Sequence, residues 1–512
     1  MNTTPQPASQ KGLNITNSYA FLFKRSILLG ITVLGLLVFM ASMWHRFIYI
    51  DDAFFGEQAY WLAKDGVVKT VTLIDFLGCD HQLFSYHKLN IFVGAALIRL
   101  FGWSVTPLRM STLIFLVGFL LVYFRYFREN KLKFGLGHFV MAIFIMLFNP
   151  LIVLYAFTYR PEIWVMFFGF TSYFFLDKSA RNNYRINYIV LAGIMAGLAF
   201  LSHLNGLIFP VAGFVVLALA KQWKGLLAFS LSAGVICMLY FFDLWQDNHF
   251  ATWMYQLRNW PDNNATNYLS HNFMDLILNI IRKLADEHQR FFWSDRVWVI
   301  STFFLLAFLA NVKYLFREHF VLAVYTLILI FTLNVAGGQI AERFLIYFFP
   351  FMALIIALDV EAVKGKTALF RKSVYIILVM AQIAFVTKMF VGIFRRNADH
   401  IEINKNILAR IPEKNVLILV PYTLVFNGLD EYKLASFKAF EYYQKSLKHN
   451  LTQQELFLRA IALNIKYIVV PLKGAEDMET GLPCLEDHDV GVNAYYKEFW
   501  RDKRCVLLER IE

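Results

Sequence analysis

Runs of roughly 17 to 25 apolar residues, the length that carries an α-helix across a hydrocarbon layer, recur along this chain and constrain it more than any other feature. An unpaired backbone amide in lipid is so costly that such runs must fold as helices. Eleven are expected: Ser26–Trp44, then about 108–124, 136–156, 163–176, 187–202, 204–220, 225–244, 297–312, 321–336, 344–359 and 374–394. The connections between them alternate between basic and non-basic. The basic ones are Arg125–Lys133, Lys178–Arg185, Lys221–Lys224, Lys313–Arg317 and Lys364–Lys372. Because basic loops stay in the cytoplasm, Lys24 and Arg25 place residues 1–25 inside. Segments 45–107, Thr158–Glu162, 246–295 and Gly337–Arg343 then lie outside, with everything beyond Arg395.

Composition agrees. The 512 residues are 58% hydrophobic and only 17% charged, with a mean hydropathy of +0.50. A soluble chain of this length would divide into domains carrying more charge. The net charge of +12 would suit nucleic acid, but the basic residues sit between the apolar runs, where they orient helices. The first run is too long for the core of a signal peptide and no small-residue cleavage site follows it, so it reads as an uncleaved anchor. The expected architecture is an all-α polytopic membrane region over 26–394 with juxtamembrane helices, and a small C-terminal α/β domain over 395–512. Helices are expected there at Ile403–Ile411 and Gln454–Leu463, and strands at Val416–Pro421, Tyr467–Pro471 and Val506–Leu508. No CxxC spacing points to zinc or redox chemistry. Cys484 and Cys505 fall in the outer domain, where a disulfide between them is expected.

Within 45–107, Ala53–Lys64 mixes aromatic and polar residues as a helix lying on a membrane surface does. Leu89–Phe101 is short and carries Arg99, so it reads as half-buried or re-entrant, with a full span as the alternative. Asp51 and Asp52 stand where the chain leaves the first span. Two acids there are also what an ordinary helix start contains. Pro161 and Glu162 have the same ordinary reading, Pro opening a helix and an acid in its first turn. His87, Lys88 and Arg343 could be interfacial anchors, and His203 and Asn205 could bond neighbouring helices.

The order of these residues nevertheless resembles one family. Asp51-Asp52-Ala-Phe-Phe55-Gly-Glu57, with Gly66 fifteen residues after Asp51, resembles the first external loop of the type C glycosyltransferases. The protein O-mannosyltransferases and the lipid A aminoarabinose transferases are near in pattern. Asp52 replaces the family's Glu and Phe55 its Tyr. Tyr86-His87-Lys88-Leu89-Asn90 is similar to a segment that in the family carries two prolines, both missing here. Phe101-Gly102 through Pro107-Leu108-Arg109, then Tyr159-Arg160-Pro161-Glu162, resemble later segments in the right order. So do Ala196–Phe200 with Asn205-Gly206, and Glu342-Arg343-Phe344 before Pro350.

The resemblance implies a polyprenyl-phosphate-linked sugar as donor and a hydroxyl acceptor on a lipid, glycan or protein. Asp51 would be the catalytic base, with Glu162 positioning. Lys88, Arg343 and His87 would hold the donor phosphate, and Asp52, Glu57, Arg109 and Arg160 would support them. Beyond that donor no cofactor is certain, and a divalent cation stays open with no motif here to support it. A transporter or lipid flippase is the competing reading, but it calls for ionisable residues at mid-membrane, and the spans hold few beyond Arg99, His203 and Lys388.

Overall fold

The computed structural model describes residues 29–30, 32–130, 135–245, 249–261, 273–337, 339–362, 368–395, 400–472, 475, 478, 480–486 and 494–511. The cytoplasmic segment expected at 1–25 lies outside these residues, as do 246–248 and 262–272 of the second long loop. Each expected apolar run is largely helical where described. Among the described residues, four helices are long and apolar enough to cross a membrane unaided: Val105–Glu129, Trp223–Phe241, Trp298–Glu318 and Ser373–Arg395. A fifth span arises if Thr32–His45 is joined to Ile50–Asp65 across a 66° bend. Ile186–Ser202, Leu204–Leu219 and Phe320–Ala336 are apolar but shorter, so length alone does not carry the count of eleven.

The run expected as one span over 136–156 is two helices, Leu136–Leu147 and Pro150–Tyr155. Pro150 has no N–H to continue the first ladder, and Asn149 caps the second helix by accepting from Leu151 N at 2.8 Å. Gln382 on the last long helix donates to the carbonyls of Ile145 and Phe148 at 2.8 and 2.9 Å, satisfying groups the break exposes. The helical interior is aromatic, with Tyr123, Phe170, Tyr173, Tyr325 and Phe351 buried together.

The juxtamembrane helix Ile50–Asp65 departs from expectation. It is not a surface helix: Asp52, Ala53, Phe55, Gly56, Glu57, Gln58, Ala59 and Tyr60 are all buried. One side packs on the helix Lys88–Phe101 and another lies under the C-terminal unit. The Lys88–Phe101 helix has only 14 residues, short of a span. Arg99 is exposed and donates to Ala63 O at 3.1 Å, closing the end of the preceding helix. The two helices touch at Gly94, where an added Cβ would meet the Tyr159 hydroxyl and come within 2.9 Å of Ala59 Cβ. Tyr159 is itself held by Asn90 O. Gly94→Ala is therefore expected to cost about 1–3 kcal/mol by overpacking, read as a lowered unfolding temperature of the purified protein.

The C-terminal unit is a five-stranded sheet in the order β2-β1-β3-β5-β4. Its strands are β1 (Leu417–Val420), β2 (Lys433–Ser436), β3 (Ile465–Pro471), β4 (Tyr496–Arg501) and β5 (Cys505–Arg510). The β1–β2 and β1–β3 pairs are parallel, and β5 runs antiparallel to both β3 and β4. The expected helices appear as His400–Leu408 and Gln453–Ala462. The expected disulfide does not form: Cys484 and Cys505 are free thiols. Cys505 belongs to the core with Ile418 and Val420, whereas Cys484 packs on the core with Leu419 and Val506. Neighbouring residues of a strand point to opposite faces, so the two cysteines sit on opposite sides of the sheet.

Candidate active site

The first turn of Ile50–Asp65 carries both acids, and their environments separate them. Asp52 is fully buried. Its Oδ2 accepts from Tyr49 N at 3.0 Å and from Arg109 Nε at 3.1 Å, and its Oδ1 accepts from Tyr159 N at 2.6 Å. Arg109 also donates to Phe47 O at 2.6 Å. Asp52 thus pins the helix start to the Val105–Glu129 span and to the loop at Tyr159. Asp51, one residue earlier, turns the other way, keeps 26% of its side chain exposed and pairs with Arg160.

Arg160 is the hub. It bridges Asp51 to Glu162, donating to Glu162 at 2.6 and 3.0 Å. Arg343 Nε lies 3.5 Å from the same Glu162 carboxylate, and its Nη2 donates to Gln339 Oε1 at 2.7 Å. Glu162 is fully buried, so its charge is spent on the two arginines. Asp51, Arg160 and Arg343 line a cavity of about 610 Å³ that also takes in His87, His203, Asn205, Gln58, Arg258, Trp260, Lys438 and Tyr442. Among its described lining residues Asp51 is the one carboxylate, set with four cations: Arg160, Arg258, Arg343 and Lys438. His87 stacks on His203 with ring centroids 4.3 Å apart. Burial, with His203 and the two arginines nearby, holds the His87 pKa well below the usual histidine range, so its ring is neutral at neutral pH.

Lys88 is placed differently from the phosphate ligand expected of it. It is buried, pairs with Asp243 at 2.6 Å, donates to Phe84 O and does not line the cavity. Tyr86 OH donates to the same carboxylate at 2.8 Å. Burial lowers the Lys88 pKa to about 8. Its charge ties the first loop to the end of the Trp223–Phe241 helix.

Glu57 is likewise outside the cavity. Its carboxylate accepts from Thr72 N and Tyr422 OH, each at 2.9 Å, and from Thr72 Oγ1. Ser436 N donates to Thr72 O at 2.9 Å, so this cluster seats the C-terminal unit on the helix. Burial raises the Glu57 pKa to about 7, against the hydrogen bonds from Thr72 and Tyr422 that lower it. A folded pKa above the unfolded one means stability is fully present below the ordinary carboxylate range and is lost as pH rises through about 7. The unfolding temperature should fall over that window, and this component of the slope should vanish in Glu57→Gln.

Of the expected residues, then, Asp51, Arg160, Glu162, Arg343 and His87 converge. Asp52 with Arg109, Glu57 and Lys88 form a surrounding frame. His203 and Asn205, read from sequence as helix–helix contacts, line the cavity. Their signal was a His-x-Asn at the break between two apolar helices. Gln58, Arg258, Trp260, Lys438 and Tyr442 had no such signal. Among the described residues no group of three His, Cys, Asp or Glu could hold a metal ion. Asp51 and Glu162 are both committed to arginines, so the residues present do not make a cation's donor set.

The fold is similar to those of two solved membrane proteins. The chain superposes on ArnT from Cupriavidus metallidurans bound to undecaprenyl phosphate with a TM-score of 0.55 at 11% identity, over 94% of this chain and 98% of that one. Against apo ArnT the TM-score is 0.53 at 11% identity, covering 97% and 99%. Against the Archaeoglobus fulgidus oligosaccharyltransferase tethered to an acceptor peptide it is 0.51 at 14% identity, covering 94% and 74%. No known family profile matches the sequence. No curated protein matches it either.

Proposed function

We propose that this protein is a membrane glycosyltransferase that moves a sugar from a polyprenyl-phosphate donor to an acceptor hydroxyl in a single displacement. The observation that carries this is the cavity: one partly open carboxylate, Asp51, set among four cationic side chains on a type C fold. The cavity and the C-terminal unit would lie on the outer face of the membrane, a placement that the alternation of basic connections supports. The domain division at about residue 395 belongs to the same reading.

The anomeric carbon exchanges its bond to the phosphate oxygen for a bond to the acceptor oxygen. The electron pair of the broken bond stays on the phosphate, whose second pKa is about 6, so it leaves without a general acid. The acceptor O–H proton passes to Asp51, and one carboxylate suffices where a glycosidase normally uses two. Arg160 orients that carboxylate, while Glu162 holds Arg160 and Arg343 in place. Arg343, with 29% of its side chain exposed, offers its fork of donors to the phosphate.

Arg343→Ala should weaken binding of undecaprenyl phosphate roughly 10- to 100-fold, the scale of a charge-assisted hydrogen bond. Arg343→Lys should recover only part, since an ammonium cannot reproduce the fork. Titration of the purified protein in nanodiscs reads both, and unchanged affinity in Arg343→Ala would remove Arg343 from the phosphate site.

A further inference from the structure

Gln58 stands seven residues on from Asp51, two turns along the same helix and on the same face. Phe54 and Phe55 lie between them, and all four line the cavity. The Gln58 side chain is 99% buried by residue exposure (1% accessible), yet neither its amide nitrogen nor its amide oxygen has a hydrogen-bond partner in the protein. A buried primary amide can donate twice and accept twice, and leaving all of that unmade is costly. Asp51, Asp52 and Glu57 on the same helix are all paired. Gln58 is thus a polar group held ready beside a cavity.

The cavity wall beside it has a second feature. Phe54 lies 6.0 Å from Trp260 and 6.2 Å from Tyr422, and Trp260 lies 5.4 Å from Tyr442, ring centroid to centroid. These rings come from the juxtamembrane helix, the 249–261 segment and the C-terminal unit, so three parts of the chain build one aromatic wall. Broad aromatic rings suit the C–H faces of a sugar ring, and an amide that both donates and accepts suits a pair of neighbouring hydroxyls.

Building on the glycosyltransferase reading, we propose that Gln58 is the residue that reads the transferred sugar: its amide hydrogen-bonds a vicinal hydroxyl pair while the Phe54–Trp260–Tyr442 wall packs on the ring. Gln58 is a specificity and positioning residue, and the proton and the phosphate are handled by Asp51 and Arg343. The sugar it selects is a hexose or pentose with two adjacent hydroxyls free, on the lipid donor and not on the acceptor.

The test compares wild type with Gln58→Met, which removes both polar atoms at nearly constant shape, and with Gln58→Asn, which keeps the amide but shortens its reach. Affinities are measured in nanodiscs for bare undecaprenyl phosphate and for a panel of undecaprenyl-phosphate-linked hexoses and pentoses. Bare lipid should bind all three proteins within about two-fold. The preferred sugar-lipid's advantage over bare lipid should fall about ten-fold in Gln58→Met, the worth of one or two hydrogen bonds, and be partly kept in Gln58→Asn. Without ligand, Gln58→Met should unfold about 1–3 °C higher than wild type, because an unpaired buried amide has been removed.

An equal loss for bare and sugar-bearing lipid, or a lowered unfolding temperature, would make Gln58 a structural residue and overturn the proposal. So would a wild type that binds bare lipid but prefers no sugar-lipid, or a Gln58→Met protein that keeps the preference. Failure of wild type to bind any polyprenyl phosphate would instead defeat the glycosyltransferase reading beneath it.

Discussion

Asp52→Ala is expected to cost about 3–5 kcal/mol, because it strands a buried guanidinium. Arg109 keeps its bonds to Phe47 O and Arg46 O but loses its one charge partner, and Tyr49 N and Tyr159 N lose their acceptor. That is a large share of the 5–15 kcal/mol a native fold commonly holds. The loss would spread through three elements at once: the start of the juxtamembrane helix, the Val105–Glu129 span and the loop at Tyr159. Thermal unfolding of detergent-purified protein should show a fall of roughly 5–15 °C, with much of the sample aggregated. Arg109→Met should be no worse than Asp52→Ala, and the double variant should be less damaged than the sum, since the partners are then removed together. An Asp52→Ala protein that unfolds within about 1 °C of wild type would show that the pair does not organise the site.

Asp51→Asn should behave in the opposite way. Asp51 is partly open, and its partner Arg160 is also held by Glu162, so the amide should leave the unfolding temperature nearly unchanged. Arg160 retains Glu162. Turnover should fall by about 100-fold or more, the usual scale for a lost general base, with little change in affinity for the donor. The contrast between adjacent acids is the informative part: one is expected to hold the fold and the other to do the chemistry. A folded Asp51→Asn protein with normal turnover would pass the role of base to another cavity group, with neutral His87 the nearest in kind.

How far the sequence revealed this depends on the distance over which a signal acts. Apolar runs are local, and the helices appear where the runs stand. The break at Pro150 was legible in principle but was masked by strong hydropathy on both sides. Asp51, Arg160, Glu162 and Arg343 stood out because their neighbours follow a family order, although nothing in their spacing shows that Arg160 bridges the two acids. The pairing of Lys88 was not legible because its partner Asp243 is 155 residues away and unremarkable where it stands. The juxtamembrane helix looked like a surface helix since the unit that covers it begins more than 300 residues later. Strand β2 is four residues between helices, and β4 is an exposed edge strand, so neither carried the alternation of a half-buried strand. Gln58 was silent for the same reason: an unpaired amide is a property of packing.

The most direct test of the central claim is sugar transfer by the purified protein in nanodiscs. Polyprenyl-phosphate sugars, labelled in the sugar and extracted from the source cells, are supplied with an envelope extract as acceptor. The account predicts that label leaves the lipid and appears in a glycosidic product, with free polyprenyl phosphate released in equal amount, and that Asp51→Asn abolishes both. Label that stays on the lipid, or that crosses the bilayer still attached to it, would contradict the account and favour a flippase.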